Sequence, residues 1–213
     1  SAKDVILEML RRHDVKGGVG KVIEYYGEGL KDLSAMDRHV IANMGAELGA
    51  TTTVFPSDQE TKRFLKSQGR EDDWTELVAD EGCSYDLHDH IELDKLVPLI
   101  ALPTSPGNVV SVSEVAGKSI SQVVIGSSAN PGLRDFWIAG AIVKDKSVNP
   151  DVSFDVNPTS RQIIQNMIDT KAFANLITAG ARFHQSGCMG CIGMGQAPAS
   201  GTISLRTMPR NFP

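Results

Sequence analysis

The spacing of apolar residues along the chain alternates between a helical period and short strand-like runs. Over residues 3–15, Val5, Ile6, Met9 and Leu10 recur at helical spacing. Residues 34–49 repeat that pattern, with Ser34 placed as an N-cap and a glycine as the end of the helix. The β-branched run TTTVFP that follows predicts a short strand. Helices that alternate with short strands predict an α/β layer fold.

A polar, acidic stretch, GREDDWTELVADEGCSYD, interrupts this alternation and predicts a connecting segment. Beyond it, SQVVIGS, VSFDV and GTISLRTM predict strands, and LRDFWIAGAIV, SRQIIQNMI and AFANLITAG predict helices. We therefore predict a first α/β domain over residues 1–71, a connecting segment over 72–95 and a second α/β domain over 96–213. Each domain is expected to be a three-layer α/β/α arrangement around a short, mostly parallel sheet.

Composition and charge exclude several classes of function. The 213 residues are 41% hydrophobic, enough for a sizeable core, and the net charge of −5 is spread out. The chain has no basic run, which argues against a nucleic-acid partner. We see no apolar stretch of membrane-span length and no basic leader, and we therefore expect a soluble, cytoplasmic protein without a membrane partner. Three cysteines cannot all pair within the chain, which favours reduced thiols.

The segment FHQSGCMGCIGMGQ places Cys188 and Cys191 three positions apart among glycines. This spacing suits a thioredoxin-like dithiol, half of a zinc site or part of an iron–sulfur cluster. The glycines indicate that backbone amides approach another group closely. Metal or cluster binding is favoured over structural thiols, and Cys83 is interpreted as structural. His88 and His90 are expected on one face of a strand, solvated or paired with carboxylates.

Four motifs in fixed order, NMGAELGATTTVFP, VIGSSANP, GCMGCIGMG and RTMPRNFP, resemble the aconitase family of iron–sulfur hydro-lyases. The resemblance spans residues 3–213 and implies the second and third domains of such a protein, with the remaining domains of the same polypeptide absent from this chain. It also implies a [4Fe-4S] cluster with an open iron. Cys188 and Cys191 match two of the three cysteine ligands. Ser128 stands at the position of the third, in GSSAN where the family has GSCTN.

The resemblance also implies which residues act on substrate. Asn43 and Glu47, four apart on one predicted helix, match an active-site asparagine and glutamate. Arg210 matches an arginine that pairs with a substrate carboxylate, and Pro209 replaces a neighbouring asparagine. A carboxylate near the open iron makes chemical sense, because a leaving hydroxide needs a proton partner.

The function implied by the resemblance is isomerisation of a tricarboxylate, citrate, through cis-aconitate, a reaction of the tricarboxylic acid cycle. The alternatives are a sister isomerase acting on isopropylmalate, homoaconitate or methylcitrate, and a retired homologue that binds metal or RNA without catalysis. The 213 residues alone are expected to be inactive. The family takes its catalytic base and its histidine–aspartate pairs from domains that this chain lacks.

Overall fold

The computed structural model describes residues 1–195, 197–209 and 211. They form two compact units, one over Ser1–Glu114 and one over the described part of Val115–Asn211. The second unit was predicted to begin at residue 96, whereas the structure places residues 96–114 with the first unit. The reason is local packing: Leu96 and Leu99 lie against the first unit's core, and the Leu99 amide donates a hydrogen bond to Asp4 (2.8 Å).

The first unit is built from three helices and two pairs of strands. Its helices are α1 (Ala2–His13), α2 (Ala35–Met44) and α3 (Gln59–Ser67), and its strands are β1 (Val22–Glu24), β2 (Thr52–Val54), β3 (Leu99–Ala101) and β4 (Val109–Ser111). β1 and β2 are parallel, and β3 and β4 form an antiparallel pair that the sequence did not predict. The short helix α4 (Val112–Val115) follows β4 at the boundary between the units.

Helix α1 forms the centre of the first unit's core. It is buried nearly all round from Val5 to Leu10, because α2 packs on it together with the β3–β4 pair. Ile41, Met44 and Leu48 supply the other fully buried side chains of this core. A helix that is covered on most sides is typical of the interior of a domain.

Helix α2 begins at the predicted N-cap. The Ser34 hydroxyl accepts the Asp37 amide, and the Asp37 carboxylate accepts the Ser34 amide, which completes a capping box. The helix ends at Met44, and a 3₁₀ turn over Gly45–Leu48 continues to the left-handed Gly49. The single helix predicted over 34–49 is therefore divided. At the junction a Cβ on Gly45 would lie 2.2 Å from the Thr53 hydroxyl, so the chain passes close to β2 there.

The second unit is a four-stranded parallel sheet with helices on one face. Its strands β5 (Gln122–Gly126), β6 (Ser153–Asn157), β7 (Arg182–Phe183) and β8 (Ser204–Arg206) lie in the order β7-β6-β5-β8. Its longer helices are α5 (Leu133–Val143), α6 (Arg161–Asp169) and α7 (Ala172–Thr178). Phe154 and Val156 face these helices and share one core with Phe136, Met167 and Leu176.

The opposite face of this sheet carries alternating polar residues, because side chains along a strand point to opposite sides. Gln122 and Asp155 are buried on that face, beside Val124. The connection from β7 to β8 crosses from one edge of the sheet to the other, and Cys191 in this connection packs on Val124. The predicted α/β class with short, mostly parallel sheets is confirmed. A layer of helices was also predicted on the second face of each sheet, whereas in the second unit the connection between β7 and β8 contacts that face.

No helix in the described part of the chain is long and apolar enough to cross a membrane.

Candidate functional site

The strand order of the second unit reverses at β5. The chain proceeds from β5 to β6 and β7 in one direction, and then returns to place β8 on the other side of β5. In open parallel sheets, ligands bind outside the carboxyl ends of the strands where the order reverses in this way. The loops that follow β5 and β8 therefore define the candidate site.

The loop after β5 is a hydrogen-bonded turn that exposes Ser128. The buried Ser127 hydroxyl accepts the amides of Ala129 (3.3 Å) and Asn130 (3.2 Å) and donates to the Asn130 carbonyl (2.9 Å). Ser128, at the tip of this turn, is exposed. The turn is tied to the loop after β8, because the Asn130 side chain donates to the carbonyl of Thr207 (3.1 Å).

Gly126 allows this turn to lie against β6. Its φ of 141° lies in a region that favours glycine, and a Cβ there would lie 2.0 Å from the Asn157 carbonyl oxygen. The Gly126 amide donates to the Thr207 hydroxyl (3.0 Å), which joins the ends of β5 and β8.

The cysteine loop, which we define as residues 184–195, lies on the polar face of the sheet. Cys191 is 3% exposed and packs with Val124 and Met208, whereas Cys188 is exposed. The two cysteines form a disulfide, with their Cα atoms 5.5 Å apart. This differs from the prediction of reduced thiols. A C-x-x-C turn through a 3₁₀ segment brings the two Cα atoms within the distance that a disulfide requires.

A buried carboxylate organises the polar face beside this loop. Asp155 is fully buried, and one of its oxygens accepts from Arg182 Nε (2.6 Å) and His184 Nε2 (2.8 Å). Its other oxygen accepts from the Ser153 hydroxyl (2.8 Å) and Gln122 Nε2 (3.1 Å). Burial raises the pKa of the Asp155 carboxyl, but the hydrogen bonds from Arg182, His184 and Ser153 outweigh it and hold that pKa below its usual range.

Asp155, Asn157 and Arg206 are polar residues around this loop that the sequence did not single out. A signal was present in β6, where SFDVN alternates apolar Phe154 and Val156 with polar Asp155 and Asn157. Such alternation inside a parallel strand indicates that one face of the sheet is polar and hydrogen-bonded rather than covered by apolar helices.

The predicted substrate residues Asn43 and Glu47 lie in the first unit. Asn43 is exposed near the end of α2, and Glu47 is half-buried in the 3₁₀ turn, so they do not share one α-helix as predicted. Their placement relative to the cysteine loop stays a prediction. Arg210 lies outside the described residues.

Cys83, His88 and His90 lie in an irregular segment rather than on a strand, which corrects the prediction of a shared strand face. The exposed Cys83 thiol lies 3.5 Å from the Tyr85 hydroxyl, and His88 Nδ1 lies 2.7 Å from that of Tyr26. One carboxylate of this segment, Asp89, pairs with Arg12 (2.7 Å) and His13 (2.7 Å). Tyrosine hydroxyls are therefore the recorded side-chain partners of Cys83 and His88.

The second unit combines a parallel sheet with a C-x-x-C loop near the point where the strand order reverses. Comparison with known proteins identifies the class of protein to which the chain belongs. The model of the aconitase family (aconitate hydratase) matches residues 1–119 and 113–213, which together span the whole chain. The chain belongs to the aconitase family.

The curated proteins that are similar to this chain include large subunits of one kind of dehydratase. The chain is 35% identical over 212 residues to "3-isopropylmalate dehydratase large subunit 2" of Archaeoglobus fulgidus, covering 99% of the chain and 51% of that protein. It is 36% identical to "3-isopropylmalate dehydratase large subunit 1" of Thermotoga maritima, over 99% of the chain and 51% of that protein. The corresponding large subunit 2 of Rubrobacter xylanophilus is 37% identical, over 100% of the chain and 50% of that protein. The chain thus spans about half the length of these relatives.

The donor set around the cysteine loop can be tested against the cluster that the family implies. Cys188 and Cys191 provide two sulfurs on one loop, which suits a site that selects soft metals. Among the described residues, no three His, Cys, Asp or Glu side chains converge on a metal position. The Ser186 hydroxyl, two residues before Cys188, is buried without a hydrogen-bond partner in the described structure. These residues fit a bound group, with Ser128 as the departure from three thiolates.

Proposed function

We propose that this chain forms about half of the large subunit of a hydro-lyase of the isopropylmalate dehydratase type. The observation that carries the proposal is the match of 99–100% of the chain, at 35–37% identity, to three relatives with this name. The relatives favour the sister isomerase over citrate isomerisation, and they give no support to a place in the tricarboxylic acid cycle. The substrate class is a hydroxy acid with two carboxylates and an apolar branch, and the name "large subunit" makes a smaller subunit the expected partner.

Cys188 and Cys191, in their reduced form, would hold a [4Fe-4S] cluster, with the Ser128 hydroxyl at the third ligand position. When bound, such a cluster supplies a Lewis-acidic iron that assists departure of the substrate hydroxyl. The chain's own contribution is to fix these ligands. The Ser127 turn presents Ser128 at the end of β5, and packing on Val124 and Met208 buries Cys191.

Glu47 is proposed to supply or accept the proton that accompanies the hydroxyl group as it leaves and returns. A half-buried carboxylate suits this role, because partial burial excludes bulk water while leaving one side open. Asn43 is proposed to orient the same group by hydrogen bonding, and Arg210 to pair with a substrate carboxylate through its planar guanidinium.

The experiment is a substrate comparison on the full-length polypeptide with its smaller subunit, reconstituted with iron and sulfide without oxygen. Dehydration is followed by the absorbance of the unsaturated product, with isopropylmalate and citrate as parallel substrates. We expect kcat/KM to be at least about 100-fold higher for isopropylmalate, because a pocket that is shaped for an apolar branch leaves a third carboxylate unpaired. A preference for citrate would contradict the proposal.

Glu47→Gln tests the proton role in the same assay, with the exposed Glu76→Gln as its control. We expect the first variant to lose about 100-fold or more in kcat, the usual contribution of a positioned acid or base, and the second to lose less than about twofold. Equal kcat values for Glu47→Gln and the unchanged enzyme would remove Glu47 from the mechanism.

Ser128 favours a second candidate, a retired homologue that no longer catalyses. A hydroxyl loses its proton far less readily than a thiol and is a harder ligand for iron. The two candidates differ in one result, since the retired homologue would retain no iron after reconstitution and would turn over neither substrate.

A further inference from the structure

The side chain of Asn157 spans the cysteine loop from the end of β6. Its Nδ2 donates to the carbonyl of Gln185 (2.7 Å), and its Oδ1 accepts the amide of Gly190 (3.4 Å). These partners lie three residues before Cys188 and two residues after it. The amide can point only one way, because its nitrogen faces an acceptor and its oxygen faces a donor.

The remaining contacts of the loop show why the Gly190 contact is distinctive. Backbone hydrogen bonds from His184 to Val156 (2.9 Å) and from Gly187 to Pro158 (3.3 Å) hold the loop only before Cys188. After Cys188, the described hydrogen bonds to the sheet both involve Gly190: its amide donates to Asn157 Oδ1 on β6 (3.4 Å), and its carbonyl accepts from Arg206 Nη1 on β8 (3.4 Å). One glycine is therefore held by side chains from two strands.

Burial makes the Asn157 contacts costly to lose. Asn157 is fully buried, and so is Gly190. Water cannot readily replace a hydrogen bond that is broken there, so the loop has to shift until its amide finds another acceptor. A shift at Gly190 moves Cys191, its neighbour, away from Val124.

We propose that Asn157 is a positioning residue that holds Cys188 and Cys191 in a fixed arrangement at the carboxyl edge of the sheet. The inference rests on the proposed function in that it takes the cysteine loop to be the site. Asn157 acts through the loop backbone, and its role is to reduce the freedom of the two sulfurs relative to each other and to the end of β5.

The test measures how closely the loop holds the two sulfurs together. The full-length polypeptide, free of metal, is equilibrated with mixtures of reduced and oxidised glutathione. Two protein thiols reduce one oxidised glutathione, giving the Cys188–Cys191 disulfide and two reduced glutathiones. The fraction oxidised at each mixture gives the effective concentration of one cysteine thiol with respect to the other. The exposed Cys83 is replaced by Ser in every protein so that it does not compete.

We expect Asn157→Leu, which is similar in size but cannot hydrogen-bond, to lower this effective concentration about tenfold, because the freed loop samples more arrangements. Met167→Ala is the matched control. It removes a fully buried side chain from the core on the opposite face of the sheet, and it should leave the effective concentration within about twofold. An unchanged value in Asn157→Leu, or an equal fall in both variants, would overturn the proposal.

Amide hydrogen exchange provides the second measurement, on Asn157→Leu and on the smaller change Asn157→Ser. Peptides that contain Gly190 should exchange at least about tenfold faster than in the unchanged protein, while peptides from β5 keep their protection. Equal exchange at Gly190, or a loss of protection throughout the second unit in both variants, would show that Asn157 is not a specific anchor of the loop.

Neither measurement uses turnover, so the two proposals can fail separately. If the Asn157 variants change both the thiol equilibrium and the amide exchange in a protein that dehydrates neither substrate, the positioning role of Asn157 is supported and the proposed function is rejected. Turnover of isopropylmalate with unchanged thiol equilibrium and exchange in the Asn157 variants would do the reverse.

Discussion

Ser128 is the residue at which we predict that this chain departs from the ligand set of its family. This prediction rests on the resemblance of GSSAN to a family motif that carries a cysteine. The sequence could not indicate how the serine is presented. That depends on the buried Ser127, whose hydroxyl makes three hydrogen bonds within the turn and leaves Ser128 exposed at its tip.

Replacing Ser128 with Cys should strengthen cluster binding in the full-length protein, since a thiolate is a softer ligand and forms at a lower pH than an alkoxide. We expect the Ser128→Cys variant to retain iron and sulfide several-fold longer in the presence of a chelator, measured by the decay of the cluster absorbance. Ser200→Cys, at an exposed position away from the strand ends, is the control and should decay like the unchanged protein. Faster decay in Ser128→Cys would argue that this serine is not at a ligand position.

Glu8 provides a pH-dependent contribution to the stability of the first unit. Hydrogen bonds from Arg11 above all, together with Arg12, lower the pKa of this buried carboxyl from 4.5 to about 2. Because the folded pKa lies below the unfolded one, the stabilisation is complete above about pH 4.5 and is lost as the pH falls through about 2. Its size is about 1 to 3 kcal/mol, with Arg11 half-exposed and screened by solvent.

Glu8→Gln should therefore reduce the free energy of unfolding most at about pH 6, and the difference from the unchanged protein should shrink as the pH is lowered to about 3. Urea unfolding at a series of pH values measures this. Glu76→Gln, at an exposed site, should show no such trend. A Glu8 difference that is constant or grows toward acid would mean that the ion pairs with Arg11 and Arg12 do not stabilise the fold.

At the scale of elements, periodicity predicted the longer helices and the central strands well. Helix α5 has the predicted limits, and α2 starts at its predicted cap, because capping and apolar spacing are local properties of the sequence. The β3–β4 pair and the two-residue β7 were missed, since each is too short to show a period and is defined by contacts distant in sequence. The end of α2 was misplaced because the close approach of Gly45 to β2 is a tertiary contact.

The same reasoning explains which parts of the site could be predicted. The C-x-x-C spacing is a local signal, whereas the Asp155 network joins residues from four strands and the connection after β7. In the sequence, the alternation of apolar and polar residues in β6 is the signal that points to this network. Tertiary hydrogen bonds of this kind leave a weak trace in one sequence.

Gly126→Ala tests the junction between the carboxyl ends of β5 and β6. The added methyl would meet the Asn157 carbonyl oxygen at 2.0 Å, and the φ of 141° is strained for alanine, so we expect a loss of more than about 3 kcal/mol in the free energy of unfolding. Gly201→Ala is the control. It has a positive φ of 73° but open space around it, and should cost about 1 kcal/mol. Equal losses from chemical unfolding would mean that the close approach to β6 carries no weight.

At the scale of the whole molecule, the chain spans half the length of its relatives, and the 213 residues alone are expected to leave isopropylmalate and citrate unchanged. The proposed contributions of this chain are ligands, a carboxylate and one arginine. These can polarise a substrate, but a reaction that removes a proton beside a carboxylate also needs a positioned base and exclusion of water.

The central claim is that the loop carrying Cys188 and Cys191 is the reactive site of a hydro-lyase. The most direct test is isopropylmalate dehydration by the full-length protein, with its smaller subunit and reconstituted with iron and sulfide, in which both cysteines are replaced by serine. We expect kcat/KM to fall by at least about 1,000-fold, as for loss of a Lewis-acid centre, while Cys83→Ser stays within about twofold of the unchanged protein. Turnover that survives without Cys188 and Cys191 would contradict the account.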